Sequence, residues 1–267
     1  MKYKLFISDF DMTMGRAPDI IQTETVKAVK EFQRQGGKFV ICTGRSYLSI
    51  KKVCQKYGIK GDVIAFQGSL ACNLETDKEL FNGGVNNEYA SLAVKDLLEL
   101  GVETGVYLDD LYYYDKKGEY ISHYEKLVMV DGVLVDDLVD YTLNTNKKIR
   151  KILSLGEGKY LDEILEKLTP KYQGKLIFNK SSEKILEVIC PDWSKKEAVK
   201  RIAKYYDIPL SSVIAVGDST NDIPLLDGEW HGVAVGDGMK DLKDFAKEIT
   251  VNFDEQPVKF LLEKYCL

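Results

Sequence analysis

Short, continuously apolar runs that stop at a polar or acidic residue, with amphipathic helical stretches between them, constrain this chain most. Leu5–Ser8, Phe39–Cys42 and Val63–Phe66 read as strands. Between them, Thr23–Gln35 forms an amphipathic helix closed by Gly36-Gly37, and Ser46–Tyr57 forms a second helix stopped by Gly58. Strands without polar alternation are covered on both faces, and strands separated by helices run parallel. The pattern resumes near the C-terminus with a helix at Lys195–Tyr206, a strand at Val213–Val216 and a short helix near Asn221–Leu226. Strands at Val233–Val235 and Ile249–Val251 and a last helix from Gln256 complete it. The expectation is an α/β fold built on one parallel sheet.

Between these halves the texture changes to a helix at Asn87–Leu100, strands at Thr104–Tyr107, Leu111–Tyr114, Ile149–Leu155 and Ile185–Ile189, and a helix at Tyr160–Leu168. The Gly/Asn-rich run Phe81–Asn87 and the turn Cys190–Ser194 bracket it as linkers. A chain of 267 residues holds one large or two modest domains, at roughly 150 residues each. The predicted organisation is a sheet domain of residues 1–84 and 189–267, interrupted by an α+β module of residues 85–188. Tyr113 faces opposite to Tyr112 and Tyr114 on its strand, a pattern that ordinary packing explains.

Composition removes several classes of function. A net charge of −5, with no basic stripe, argues against a nucleic-acid partner. No apolar run approaches the about 18 residues of a membrane span. Five scattered cysteines, none paired as CxxC, fit reduced thiols in a cytoplasmic protein. His123 and His231, the only histidines, read as surface or packing groups rather than a metal centre. A monomer is the default expectation, with a weak homodimer within reach.

Three loops leave predicted strand ends with polar residues: Asp9–Thr13, Thr43-Gly44-Arg45 and Gly217–Asp222. In an open parallel sheet, ligands gather outside those ends. Ser194 and Glu197 form a capping box that puts Lys195 and Lys196 in a helix's first turn. The dipole disfavours cations there, so an anion nearby would compensate. Lys195 shares the buried stripe with Val199, Ile202 and Tyr206, whereas Lys196 lies with Lys200 and Lys204, so Lys195 is the candidate. A phosphate monoester carries close to two negative charges, which Mg²⁺ held by Asp9 and Asp218, together with Lys195, would neutralise. Asp9 would attack phosphorus, Asp11 would protonate the leaving alcohol and then activate water, and Thr43 with neighbouring amides would hold the transferring oxygens. In extended backbone the two-residue spacing puts Asp9 and Asp11 on one side, sharing the cation.

At these residues the sequence resembles the haloacid dehalogenase superfamily, in its Cof-type branch. "DFDMT" (Asp9–Thr13), "ICTGR" (Ile41–Arg45), "SKKEAV" (Ser194–Val199) and "GDSTND" (Gly217–Asp222) match its four motifs in order. The resemblance implies a Rossmann-like core with an inserted α/β cap, Mg²⁺ dependence, and hydrolysis of a small phosphorylated metabolite such as a sugar phosphate or pyridoxal phosphate. It implies Asp9 and Asp11 as catalytic, Asp9, Asp11, Asp218 and Asp222 around the metal, and Thr43, Gly44, Lys195 and Asn221 around the phosphate. Arg45 is a candidate for substrate contact, as are Asn179–Glu183 and Tyr112–Tyr114 in the insert. Met12 stands where glycine is usual, Lys196 where glycine often follows the lysine, and Gln67-Gly68 where Asn-Gly is common. Alternatives are a phosphomutase, which needs a second basic cluster such as Lys147, Lys148, Arg150 and Lys151, and a non-catalytic binding protein on the same fold.

Overall fold

The computed structural model describes residues 2–128 and 131–267. The chain divides into two compact units, one running to Asn82 and resuming at Ser194–Leu267, the other Gly83–Trp193.

The first unit is built on an eight-stranded sheet. Its spatial order is Glu248–Ile249, His231–Ala234, Val213–Gly217, Leu5–Ser8, Lys38–Cys42, Asp62–Ala65, Leu70–Asn73 and Glu79–Asn82. The first six strands pair in parallel, and the last two add an antiparallel edge. From Leu5–Ser8 the chain builds outward through Lys38–Cys42 and Asp62–Ala65, and after the second unit it builds the other way from Val213–Gly217. The switch point therefore falls between Leu5–Ser8 and Val213–Gly217, where this architecture gathers ligands.

Continuous hydrophobicity follows from cover on both faces. On one face, Leu5, Ile7, Val40, Ile64 and Ala215 pack with Ala198, Val199 and Ile202 of the helix Lys195–Tyr205 and with Leu225, Leu226 and Trp230. On the other, Phe6 meets Phe32 of the helix Thr23–Arg34, ring centroids 6.4 Å apart, and stacks on Phe39 at 5.6 Å. Each such fully buried side chain contributes roughly 1.5–3 kcal/mol. The helix Tyr47–Tyr57 is capped by the Ser46 side chain, which accepts from Ser49 N, and ends on Gly58 in the left-handed region.

The second unit is a six-stranded mixed sheet in the order Val133–Leu134, Leu111–Tyr114, Glu103–Leu108, Ile149–Leu155, Ile185–Ile189 and Ile177–Ser182. Val106, Ile152, Leu186 and Val188 pack with Ala90, Val94 and Leu97 of the helix Asn87–Glu99 and with Leu161, Ile164 and Leu168 of the helix Gly158–Lys171. Tyr113 joins this core and stacks on Tyr141 at 5.3 Å. Tyr112 packs instead with Tyr107, Tyr114 and Tyr124. All three consecutive tyrosines are buried by packing, and the helices Glu119–Val128 and Leu138–Asn144 were not foreseen from sequence. Asn179 lies on the edge strand Ile177–Ser182. Among the described residues no helix is long and apolar enough to cross a membrane.

Candidate active site

Asp9 and Asp218 sit just past the carboxyl ends of the two strands that flank the switch point, with Asp9 N donating to Val216 O at 2.9 Å. Lys195, the first residue of its helix, bridges Asp9 and Asp222. Its Nζ lies 2.7 Å from Asp9 Oδ1 and 2.5 Å from Asp222 Oδ1. Lys195 and Asp222 are fully buried, so this is a desolvated contact rather than a surface ion pair. Lys196 turns away and pairs with Asp227 at 2.7 Å. Helix-face spacing thus separated the two lysines as the structure does.

Asp222 works from behind the loop. Its Oδ2 accepts from Asp218 N at 3.1 Å and Ser219 N at 3.3 Å, while Oδ1 takes Lys195. A Cβ on Gly217 would lie 2.6 Å from the Cβ of Asp222, so the strand ends on the one residue that admits this packing. Asn221 accepts a hydrogen bond from the Ser219 hydroxyl. Thr13, assigned no role from sequence, donates to Asp218 Oδ1 at 2.9 Å and fixes that carboxylate. Its place at the end of the first motif was the available signal.

Asp9, Asp218 and Asp222 each offer a carboxylate oxygen within 4.8 Å of the others. Burial, then the neighbouring Asp222, pushes the Asp9 carboxyl well above its usual range. Burial and Asp222 likewise push Asp218 up to about 7. Burial works against the Lys195 charge, but Asp222 and Asp9 outweigh it and hold the ammonium protonated well above its ordinary pKa. One lysine serves a cluster of two buried carboxylates, Asp9 and Asp222, and the half-buried Asp218, which leaves the cluster short of positive charge. An oxygen-only donor set with excess negative charge fits a hard divalent cation such as Mg²⁺. Cys42 is no rival nucleophile, because burial pushes its thiol up to about 12.

The structure does not bring the Asp11 carboxylate into this cluster. The extended run ends at Asp9: Thr13, Met14 and Gly15 all donate their N–H groups to Phe10 O, so the chain turns. Asp11 meets Arg45 instead, Nε to Oδ2 at 2.8 Å and Nη2 to Oδ1 at 2.6 Å. Arg45 also donates to Pro18 O at 2.6 Å and lies 4.4 Å over the Phe10 ring. The same-side argument for Asp9 and Asp11 fails because it assumed extended backbone past Asp9. Met12 takes φ +57°, the left-handed region where glycine is at ease.

Thr43 is buried, and its Oγ1 accepts from Arg45 N at 3.2 Å. The loop rests on Phe66-Gln67-Gly68, all at positive φ, through Phe66 N to Arg45 O at 2.9 Å and Gln67 N to Thr43 O at 3.0 Å. A Cβ on Gly44 would come within 2.6 Å of Gln67 Nε2, so a larger residue there would have to displace the Gln67 amide. The capping box is half formed: Ser194 Oγ accepts from Glu197 N, while Glu197 pairs with Lys200. His231 is a packing group, stacked 5.4 Å from Tyr3 and 2.8 Å from Glu248.

A parallel α/β core with acids at its switch point and an interrupting α+β module is the architecture of a haloacid dehalogenase-like hydrolase. The chain belongs to that family, whose model matches residues 6–262. It is 28% identical to a Streptococcus pyogenes serotype M6 protein bearing a provisional phosphatase name, over 100% of both chains. It is 24% identical to the Bacillus subtilis 5-amino-6-(5-phospho-D-ribitylamino)uracil phosphatase YwtE, over 98% of this chain and 97% of the relative. A solved haloacid dehalogenase-like hydrolase from B. subtilis shares the fold with a TM-score of 0.87 at 24% identity, covering 97% of this chain and 99% of that one.

Proposed function

We propose that the protein is a Mg²⁺-dependent phosphatase of a small phosphorylated metabolite, working through an aspartyl-phosphate on Asp9. The observation that carries this reading is the Lys195 ammonium 2.7 Å from Asp9, in a buried cluster that lacks one further cation. A lysine in that position favours the ionised Asp9 against the burial and the Asp222 charge that oppose it, a cation beside it would complete that ionisation, and the ammonium offsets the charge of the phosphoryl oxygens. Mg²⁺, held by Asp9 and Asp218, would supply the remaining positive charge. Asp222 holds Lys195 and the Asp218-Ser219 amides in place.

Asp11 is the group that protonates the departing alcohol oxygen and later takes a proton from the attacking water, which releases phosphate and restores Asp9. Its bidentate contact with Arg45 has to open for this, so Arg45 positions Asp11 besides any contact it makes with substrate. Thr43 and the amides of its loop hold phosphoryl oxygens. The insert serves as the cap that selects the substrate. The name of the relative YwtE supports an organic phosphate on a polyol chain as the substrate class.

Three of the four cations that a phosphomutase would use for a second phosphate are engaged by other groups, which disfavours that alternative. Lys151 pairs with Glu187, Arg150 donates to Gly83 O, and Lys147 donates to the Tyr113 hydroxyl. The test is p-nitrophenyl phosphate turnover with Mg²⁺ or EDTA, in wild type and Asp9→Asn. Mg²⁺-dependent turnover that drops at least about a thousandfold in the variant is expected, since covalent catalysis is then lost. Equal rates would sink the nucleophile assignment.

A further inference from the structure

The first unit carries a second concave site at the opposite edge of its sheet, where the parallel strands Lys38–Cys42 and Asp62–Ala65 begin. The recess measures about 780 Å³, within the roughly 300–1,000 Å³ of small-molecule sites. Asp62 in its lining is buried, and both its oxygens are already engaged, by Asn73 Nδ2 at 2.7 Å and by the Tyr206 hydroxyl. Lys38 Nζ lies 5.3 Å from the centre of the Tyr206 ring. Tyr205 stands edge-on to Tyr206, centroids 5.2 Å apart, and is 53% exposed.

The charge on the lining does not match the rest of the molecule. Five cations and two carboxylates face the recess of a chain whose net charge is −5. Lys60 is paired with Glu75 at 3.1 Å, and Arg34 with Glu31 at 2.6 Å. Lys30, Lys38 and Lys78 line the recess without an ion pair among the described residues. A cation in the last turn of a helix is ordinary, because exposed carbonyls there attract it. That reason serves Arg34, at the end of the helix Thr23–Arg34. It does not serve Lys38, which opens a strand, or Lys78, which lies outside any helix.

We propose that this recess binds a polyanionic small molecule bearing an aromatic ring, of the nucleoside diphosphate class. The phosphates sit among Lys30, Lys38 and Lys78, and the base stacks on the exposed face of Tyr205. A ligand there touches the far ends of two elements of the acidic site. Lys38 and Cys42 bound the strand that leads into Thr43, and Lys195 and Tyr205 bound one helix. This inference is independent of the phosphatase reading.

The test is calorimetric titration with ADP and, separately, with pyrophosphate, in EDTA, using the full-length chain as wild type, Lys38→Ala/Lys78→Ala and Tyr205→Ala. All substituted side chains are surface groups, and p-nitrophenyl phosphate turnover without ADP is expected to be unchanged in every variant. Wild type should bind ADP saturably. The double variant should bind it about tenfold more weakly, the loss expected from two partly exposed charge contacts. Tyr205→Ala should weaken ADP and leave pyrophosphate unaffected. No saturable ADP binding, or equal affinity in wild type and the double variant, overturns the proposal. ADP affinity unchanged in Tyr205→Ala overturns the assignment of the ring.

Discussion

The acidic cluster should make the metal-free protein less stable as the solution becomes more alkaline, opposite to the usual behaviour of a paired carboxylate. Asp218 is held at about 7, against 3.8 for the free side chain, by burial first and then by Asp222. Between those values the folded chain carries a proton that the unfolded chain has released, so stability falls as pH rises through the window. A displacement of about 3 pH units corresponds to at most about 4 kcal/mol, complete above pH ~7. For a domain of this size that is a fall of up to about 10–15 °C in melting temperature. On the proposed function, Mg²⁺ would bind only the ionised folded cluster, and at a hundredfold excess over its dissociation constant would return about 2.7 kcal/mol. Glu248, held at about 2 against the pull of its burial by Lys264, Tyr265 and His231, acts with the opposite sign but below this window. The assay is a series of thermal melts from about pH 5 to pH 8 in EDTA and in millimolar Mg²⁺, on wild type and Asp218→Asn. Wild type in EDTA should lose stability with pH and Mg²⁺ should restore it at the alkaline end only; the variant should lose less with pH, because only the raised Asp9 carboxyl remains, and Mg²⁺ should restore little of it. A wild-type melting temperature in EDTA that rises with pH, or a Mg²⁺ shift equal at both ends, refutes the reasoning.

Lys195→Met should abolish turnover and destabilise the protein by roughly 3–5 kcal/mol in urea titrations near neutral pH, because Asp9 and Asp222 are left as buried carboxylates without a cation; the loss should shrink in acid, where they can protonate. Gly217→Ala should cost about 1–3 kcal/mol by denaturant midpoint, with lowered turnover, as its Cβ is driven against Asp222. Met12→Gly should raise stability by up to about 1 kcal/mol, since a non-glycine residue is held at φ +57° there; a lower midpoint would show that contacts of the Met12 side chain outweigh the backbone strain.

The sheet was legible where hydrophobicity is unbroken. Leu5–Ser8 and Leu111–Tyr114 fall where the apolar runs place them, and Ile149–Leu155 and Ile185–Ile189 fall in place although Arg150, Lys151 and Glu187 interrupt theirs. The third strand runs Asp62–Ala65 rather than Val63–Phe66. An acid hides its start, because the Asp62 carboxylate is satisfied by Asn73 and Tyr206, partners distant in sequence. Its end is set by Phe66, whose backbone turns left-handed, and hydrophobicity does not encode that. The edge strand Glu79–Asn82 carries Glu and Asn at its ends, and Leu70–Asn73 beside it has an apolar run of only three residues, too short to announce a strand. At the site, residue type and helix spacing were enough to select Asp9, Asp218 and Lys195. The orientation of Asp11 was not readable, since it depends on a turn closed through Phe10 O and on an arginine from another loop.

The misread end of the third strand and the misread orientation of Asp11 share one physical cause. The backbone leaves ordinary conformations at Met12, Phe66 and Gln67, beside the loops that carry Asp11 and Thr43. Such residues cost of order 1–3 kcal/mol each and persist only where surrounding contacts over-determine them. Here the contacts are visible. Gln67 N holds Thr43 O, its side chain fills the space that a Gly44 Cβ would take, and Phe66 N holds Arg45 O. The same residue that carries the strain therefore also helps hold the loop. A glycine at position 67 would relax the backbone but also delete the wall against which Gly44 rests. Propensity fails at these loops because the fold spends stability there to fix Thr43 and Arg45, while fully buried strands such as Leu5–Ser8 and Val213–Gly217 supply the surplus.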